Sequence, residues 1–266
     1  MLRHEQTEKN ILMRMTSKLK SIDLATALSD EFLTNVFGYP CWMTQGHYNV
    51  ELVRSDLMAM PFPSFVWLKV EGKKDPSIAQ FKKMGFETIS EEVTYERPAS
   101  KEKTAKSSSD EFDIISLSAK KAAGDTALSK VVGDLSANAM TNSRFHQDPS
   151  IPPELAADVK RRWVMNFFAS KRGQKMIIAR AKDGTVIGCN QILYDGTTRV
   201  IDLICTSEEW RRKGVARAMI EAMFEPNKET RVGSQSTNKA ADKLYHGLGF
   251  KPVSTSICMH WHAKDI

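Results

Sequence analysis

The chain has 266 residues, 41% hydrophobic and 26% charged, which is ordinary globular material with enough apolar surface for a sizeable core. That composition excludes collagen-like, coiled-coil and wholly disordered chains, and no apolar run approaches the roughly 20 residues of a membrane-spanning helix. Lys and Arg number 38 against 32 Asp and Glu; so modest a basic excess suits any anionic partner, and no zinc spacing, RNP-type aromatic motif or basic zipper points to nucleic acid.

In chain order, the opening MLRHEQTEKNILMRMTSKLKS is charged throughout and lacks the apolar centre of a secretory signal, so a cytoplasmic location is expected. Cys41, Cys189, Cys205 and Cys258 are scattered, with no C-x-x-C pair, and read as buried free thiols of a reducing compartment. Residues 79–95, AQFKKMGFETISEEVTY, read as a helix that ends at a glycine and feeds a strand. The segment from Pro98 to Phe112, PASKEKTAKSSSDEF, holds no apolar residue besides Ala and its final Phe, and reads as a linker. It divides an N-terminal piece, 1–98, from a C-terminal piece, 112–266, with 99–111 between them.

Past the linker the pattern alternates. Phe112 to Leu117 is a predicted strand, and Ala119 to Thr141 is helical with Gly124 and Gly133 against it. SRFHQDPSIPPE is a polar, proline-bearing loop. Pro153 and Glu154 open a helix through Lys171, with Leu155, Val159, Trp163, Val164, Phe167 and Phe168 on one face. Lys175 to Ala181 and Val186 to Tyr194 are strands joined by the turn Lys182-Asp183-Gly184. Arg199 to Thr206 is a third strand. A helix over Gly214 to Phe224, a strand over Thr230 to Thr237, a helix over Asn238 to Gly247 and a strand over Lys251 to Trp261 complete the chain. This order predicts an α/β (α+β) fold with a mixed central sheet and flanking helices. The segment KLYHGLGFKPVSTSICM, 243–259, matches 79–95 at a constant offset, placing Gly249-Phe250 on Gly85-Phe86 and Tyr245 on Phe81. Such a match suggests a duplication whose first copy is degenerate.

The stretch Arg211-Arg212-Lys213-Gly214-Val215-Ala216 follows the apolar strand VIDLICT and opens a helix. Unpaired backbone N–H groups and the helix dipole make that position suited to a phosphate. Gly214 and Ala216 are small enough for close approach, and Arg211, Arg212, Lys213 and Arg217 supply charge. A solvated basic helix start is the plainer alternative.

At Arg211, Gly214 and Ala216 the chain resembles the GNAT superfamily of acyl-CoA N-acyltransferases, whose signature is Arg or Gln, two residues, Gly, one residue, Gly or Ala. The resemblance continues through RVGSQSTNKAADKLYHGLGF and covers Phe112 to the end. It implies a GNAT-type mixed sheet over 112–266 and a partial GNAT-like domain over 1–98. It also implies that Arg211, Arg212, Lys213, Gly214, Val215, Ala216 and Arg217 hold the coenzyme A pyrophosphate, with Leu203, Ile204 and Cys205 along the pantetheine arm. The co-substrate is then acyl-CoA, as acetyl-CoA or 3-hydroxybutyryl-CoA, and no metal is expected. Asn238 is an N-cap to which the resemblance adds a coenzyme A contact. Tyr245 is either an edge tyrosine or the general acid that protonates the departing thiolate. Asp202 shares a face with Ile204 by strand alternation and is a candidate base, with an internal hydrogen bond as the alternative. His146 is the other candidate base. Backbone N–H groups of Leu203 to Cys205 would meet the oxyanion where the strand splays from its neighbour, and Cys205 is wall.

SRFHQDPSIP, 143–152, resembles the S-R-F loop of bacterial nucleotide-sugar N-acyltransferases of the TDP-fucosamine N-acetyltransferase type. That resemblance implies acylation of the amino group of a TDP-linked deoxysugar for O-antigen, lipopolysaccharide or other surface polysaccharide. Ser143, Arg144, Phe145, His146, Gln147 and Asp148 would then line the sugar site, with Asn190, Gln191 and Gln235 adding contacts. The expected partner is the TDP-linked aminosugar, with no nucleic acid and no membrane span, and a homodimer is left open. A protein or peptide amine as acceptor, and a nonenzymatic acyl-CoA-binding module, are the competing readings.

Overall fold

The computed structural model describes residues 25–44, 49–101 and 109–263. The leader reading falls on the first 24 residues, and most of the expected linker is 102–108; both lie outside the described residues. Two compact units emerge: Met1–Ser90 with Ser256–Ile266, and Glu91–Thr255.

The first unit is built on β1 (Ala27–Ser29), β2 (Cys41–Thr44) and β3 (Phe65–Glu71). β1 runs antiparallel to β2, and β2 parallel to β3. The residues Ser256 to His262 then lie antiparallel to β3. Its described residues also form α1 (Glu31–Phe37), α2 (Val50–Ala59) and α3 (Ser77–Lys83). Trp42, Val53, Leu57, Val66, Leu68, Val70, Phe81, Phe86, Ile257 and Met259 form one buried cluster. Asp56 of α2 accepts from the backbone N–H groups of Ala25, Thr26 and Ala27, fixing the start of β1.

The second unit carries a mixed sheet in the order β4, β9, β8, β7, β6, β5. Its strands are the second half of β4 (Glu87–Arg97), then β5 (Phe112–Ser118), β6 (Lys175–Ala181), β7 (Val186–Asp195), β8 (Thr198–Thr206) and β9 (Glu229–Gln235). All neighbours are antiparallel except β8 and β9, which are parallel. Period-two alternation puts Ile177, Ala179, Ile192, Ile201 and Val232 on one face, where they pack with Val215, Ala218, Met219, Tyr245 and Phe250. The opposite face offers Met176, Ile178, Cys189, Leu203 and Cys205 to Val132, Val164, Phe167 and Phe168. The helices are α4 (Ala119–Ala122), α5 (Thr126–Ala139), α6 (Arg144–Gln147), α7 (Pro153–Phe168), α8 (Val215–Glu221) and α9 (Lys239–His246), and the last strand is β10 (Lys251–His262).

The expected helix over 119–141 is two helices, broken where Gly124 adopts φ 80° and Asp125 caps the second through Leu128 N. The expected loop SRFHQDPSIPPE contains the single turn α6. All four cysteines are free and buried. No helix of the described residues is long and apolar enough to cross a membrane.

The compact units are divided inside β4 and β10. The proposed repeat is reproduced in local geometry. Phe86 N donates to Phe81 O at 3.1 Å and Phe250 N to Tyr245 O at 3.0 Å. The paired aromatic rings sit 5.6 Å apart in both copies. Gly85 and Gly249 have φ of 94° and 83°, a region in which a side chain is strained.

Candidate active site

The site begins with an irregularity in β8. Gln191 faces Leu203 while Ile192 faces Ile201, so Asp202 is an extra residue, a β-bulge. On its other side β8 pairs with β9 only as far as Ile201 opposite Val232. The other edge of β9 pairs with β4 throughout, from Arg97 opposite Thr230 to Glu92 opposite Gln235. Among the described residues, β8 from Asp202 to Thr206 therefore has an open backbone edge toward β9. This is the splay expected from the sequence beside Leu203, Ile204 and Cys205.

The bulge also overturns the alternation argument for Asp202. Ile204 packs on the α8 side, but the Asp202 carboxylate lies on the α7 side. It accepts from Arg172 Nη2 at 2.6 Å, Arg172 Nε at 2.7 Å, Gln191 Nε2 at 2.8 Å and Trp163 Nε1 at 3.0 Å. With its side chain 7% exposed and four donors on its two oxygens, Asp202 is an internal ion-pair centre and not a base facing an acceptor. Cys205 faces Cys189 across the strands, Sγ to Sγ 3.5 Å, with Ser136 Oγ 3.7 Å from it; it is wall, as expected.

Leaving β8, the chain makes a 3₁₀ turn over Glu208–Trp210, and then reaches the basic stretch. Arg212 and Gly214 take φ of 64° and 81°. A Cβ on Gly214 would meet nothing within 4 Å, so the space beside its backbone is open. Arg211 Nη2 donates to Ala139 O at 3.1 Å, and Lys213 Nζ lies 4.6 Å over the Trp210 ring. Val215 is buried and Ala216 is partly exposed, as the first residues of α8. Arg217, its side chain 41% exposed, donates to Glu221 Oε1 at 3.3 Å and Gly247 O at 3.2 Å, linking α8 to the end of α9.

Three buried side-chain oxygens at this end of the sheet, Thr206 Oγ1, Ser207 Oγ and Gln235 Oε1, have no hydrogen-bond partner among the described residues. Unmet buried polar atoms cost about 1–3 kcal/mol each. A ligand bearing amides along the open edge of β8 would satisfy such groups, so these residues fit the pantetheine arm of acyl-CoA.

Asn238 Oδ1 accepts from Ala241 N at 3.1 Å, the helix cap anticipated for α9. Seven residues later Tyr245 is buried, its ring 5.4 Å from Tyr95 and 5.6 Å from Phe250. Burial, and then the neighbouring Tyr95, push the Tyr245 phenol well above its ordinary range. Tyr95 donates to Asp242 Oδ1 at 2.7 Å and is itself pushed up to about 12 by burial and that carboxylate.

The S-R-F loop reaches the same end. Asn142 Nδ2 donates to Thr237 Oγ1 at 3.5 Å, just past β9, and Gln147 Nε2 to Asn142 Oδ1 at 2.8 Å. Ser143 Oγ lies 2.7 Å from His146 Nδ1. Phe145 is 1% exposed and is an anchor, with the Arg144 guanidinium 4.5 Å from its ring centroid. Asp148 is buried and accepts from Ser150 N. Burial and then the charge of Lys160 hold the His146 imidazole below the ordinary value of 6.5. A proton NMR titration is expected to give a midpoint below 6.5 for His146 and a higher one in Lys160→Gln; a midpoint at or above 6.5 contradicts this environment.

The expected pairing of Asn190 with Gln191 as sugar contacts fails for a simple reason: consecutive strand residues face opposite ways. Asn190 Nδ2 points to Met223 Sδ at 3.4 Å, whereas Gln191 binds Asp202 on the other face. Both are fully buried. Arg172, Asn142 and Tyr95 were not legible as site residues, because each acts on a partner at least 30 residues away. Only Trp163 carried a signal, as part of the apolar face of α7.

Residues 172–252, which include Arg211 to Ala216, Asn238 and Tyr245, match the acetyltransferase (GNAT) domain. The spore coat polysaccharide biosynthesis protein SpsD of Bacillus subtilis (strain 168) is 26% identical over 148 residues, 53% of this chain and 50% of that protein. The chain thus spans about half the length of this curated relative. A GCN5-related N-acetyltransferase from Sphaerobacter thermophilus is similar in structure, with a TM-score of 0.59, 11% identity, and coverage of 90% of this chain and 77% of that one. A tandem GNAT protein from the clavulanic acid biosynthesis pathway gives a TM-score of 0.60 at 10% identity, covering 86% and 77%. The described chain accordingly has the GNAT fold, and its residues 172–252 match the GNAT acetyltransferase domain.

Proposed function

We propose that the chain is an N-acyltransferase that moves an acyl group, acetyl or 3-hydroxybutyryl, from acyl-CoA to the amino group of a TDP-linked amino-dideoxysugar for surface polysaccharide synthesis. The observation that carries this reading is the open edge of β8 beyond Ile201, which ends at the Arg211 to Ala216 loop. The S-R-F loop is tied to the same end by Arg211 to Ala139 and Asn142 to Thr237. The polysaccharide context of the Bacillus subtilis relative supports a sugar acceptor.

Bound acyl-CoA supplies a thioester carbonyl already activated toward an amine. The N–H groups on the open edge of Leu203 to Cys205 are donors for the oxygen of that carbonyl. Tyr245, protonated across the working pH range because burial raises it, holds the proton needed by the departing thiolate. His146, kept neutral near pH 7 by burial and Lys160, is the remaining side chain able to take a proton from the amine. No residue is acylated, so transfer is direct within a ternary complex. In this reading residues 1–98 are a degenerate GNAT-like copy without an Arg-x-x-Gly-x-Ala cradle, and the protein works in the cytoplasm. The test is incubation with acetyl-CoA and a panel of TDP-aminosugars, reading free thiol. Release dependent on the aminosugar supports the proposal; release with peptides alone moves it to a protein or peptide amine, and binding without release to a nonenzymatic acyl-CoA module.

The cradle has its own expected result. Gly214 is left-handed, so Gly214→Val strains the free protein by about 1–3 kcal/mol and fills the open space beside the backbone. Acetyl-CoA affinity measured by calorimetry on the folded variant is expected to fall at least about tenfold. Unchanged affinity would place the pyrophosphate elsewhere.

A further inference from the structure

The bulge at Asp202 and the end of β8–β9 pairing fall at the same point, Ile201. An extra residue bends its strand and increases local twist, but only if its side chain has somewhere to go. Here the housing is built by residues outside β8. Arg172 closes a two-pronged pair on the carboxylate, and its guanidinium carbon lies 4.9 Å from the centroid of Trp163. Trp163 donates its indole N–H to the same carboxylate. Lys160 then lies 5.2 Å over Trp163 and 5.7 Å over Phe145. Cations and aromatic rings alternate from the S-R-F loop to the bulge.

We infer that Arg172 is a positioning residue for acyl transfer. It sets the bulge, and so the direction of the open Leu203 to Cys205 edge, while Trp163 and Lys160 carry the same network to the seat of Phe145. The inference rests on the proposal that this edge holds the thioester. Arginine is required because a planar fork makes two parallel bonds to a carboxylate and stacks on a ring; an ammonium does neither. Cofactor affinity resides mainly in the cradle, so loss of Arg172 is expected to act on turnover.

The test uses Arg172→Lys and the charge-neutral pair Arg172→Gln with Asp202→Asn, each in the full chain. Hydrogen exchange on the free protein is expected to run about tenfold faster in peptides covering 203–205, with those of β5 and β6 unchanged. Turnover with acetyl-CoA and the accepted aminosugar is expected to fall about 10²-fold, the KM for acetyl-CoA moving by less than about threefold. Normal exchange at 203–205 with normal turnover in Arg172→Lys overturns the inference. So does faster exchange spread evenly over the sheet, which makes Arg172 an ordinary stabilising residue. If the unaltered protein binds no acetyl-CoA in calorimetry, the reading of the edge fails instead, and the exchange data still decide whether Arg172 sets the bulge.

Discussion

Replacing Tyr245 by phenylalanine is expected to lower turnover by about 10²- to 10⁴-fold, the usual worth of a placed general acid, while acetyl-CoA affinity barely moves. The substitution keeps the ring in its contacts with Tyr95 and Phe250 and removes only the hydroxyl. No hydrogen bond to that hydroxyl occurs among the described residues, so no partner is orphaned. The repeat has already made this change at the matching position: Phe81 occupies the place of Tyr245, fully buried against Phe86. The effect is bounded because a thiol of pKa about 8.5 is a fair leaving group even unassisted. Burial holds Tyr245 protonated past the point at which a free phenol ionises, so its acid form persists to high pH. The same shift carries a stability cost there. Above pH about 10 the unfolded chain loses a proton that the folded chain keeps, and stability falls as pH rises. Near-normal turnover of Tyr245→Phe, with chemistry shown to be rate-limiting by single-turnover kinetics, removes the tyrosine from the mechanism.

A fragment of residues 112–266 is expected to lose both its cooperative melt and its acetyl-CoA binding. The cut removes Glu92 to Arg97, the antiparallel neighbour of β9. With it go the buried Tyr95 ring, the hydrogen bond from Tyr95 to Asp242 and the contacts of Arg97 with Leu248 O and the Phe224 ring. Loss of a large buried aromatic alone costs about 3–5 kcal/mol, a large part of a typical domain stability of about 5–15 kcal/mol. At the other end the fragment keeps Ser256 to His262 without β3, its partner in the first unit, exposing the otherwise buried Ile257 and Met259. A fragment of 91–255 follows the compact unit and is expected to retain more ordered structure than 112–266. Circular dichroism melts of the two fragments decide it. A 112–266 fragment that melts cooperatively and binds acetyl-CoA like the full chain would refute this account of β4.

What the residues determine locally was legible without coordinates. The strands from Phe112 onward follow from the residue pattern, as do the helices after Pro153, and the cap at Asn238 from one side chain reaching Ala241 N. The left-handed turn at Gly214 falls within the small and basic residues that follow a strand, and the repeat shows as a glycine-phenylalanine pair whose backbone geometry is common to both copies. These features depend on neighbours within a few positions, where spacing alone decides which groups meet. The tertiary structure decided what long-range pairing controls. Asp202 became an ion-pair centre because a bulge broke the alternation that placed it with Ile204 and brought Arg172 to it across 30 residues. Asn190 was turned to Met223, and Arg217, still partly exposed, to Glu221 and Gly247 O. The unit boundary fell inside β4 and β10 because hydrogen bonding to a neighbour strand, not polarity along the chain, settles which core a strand completes.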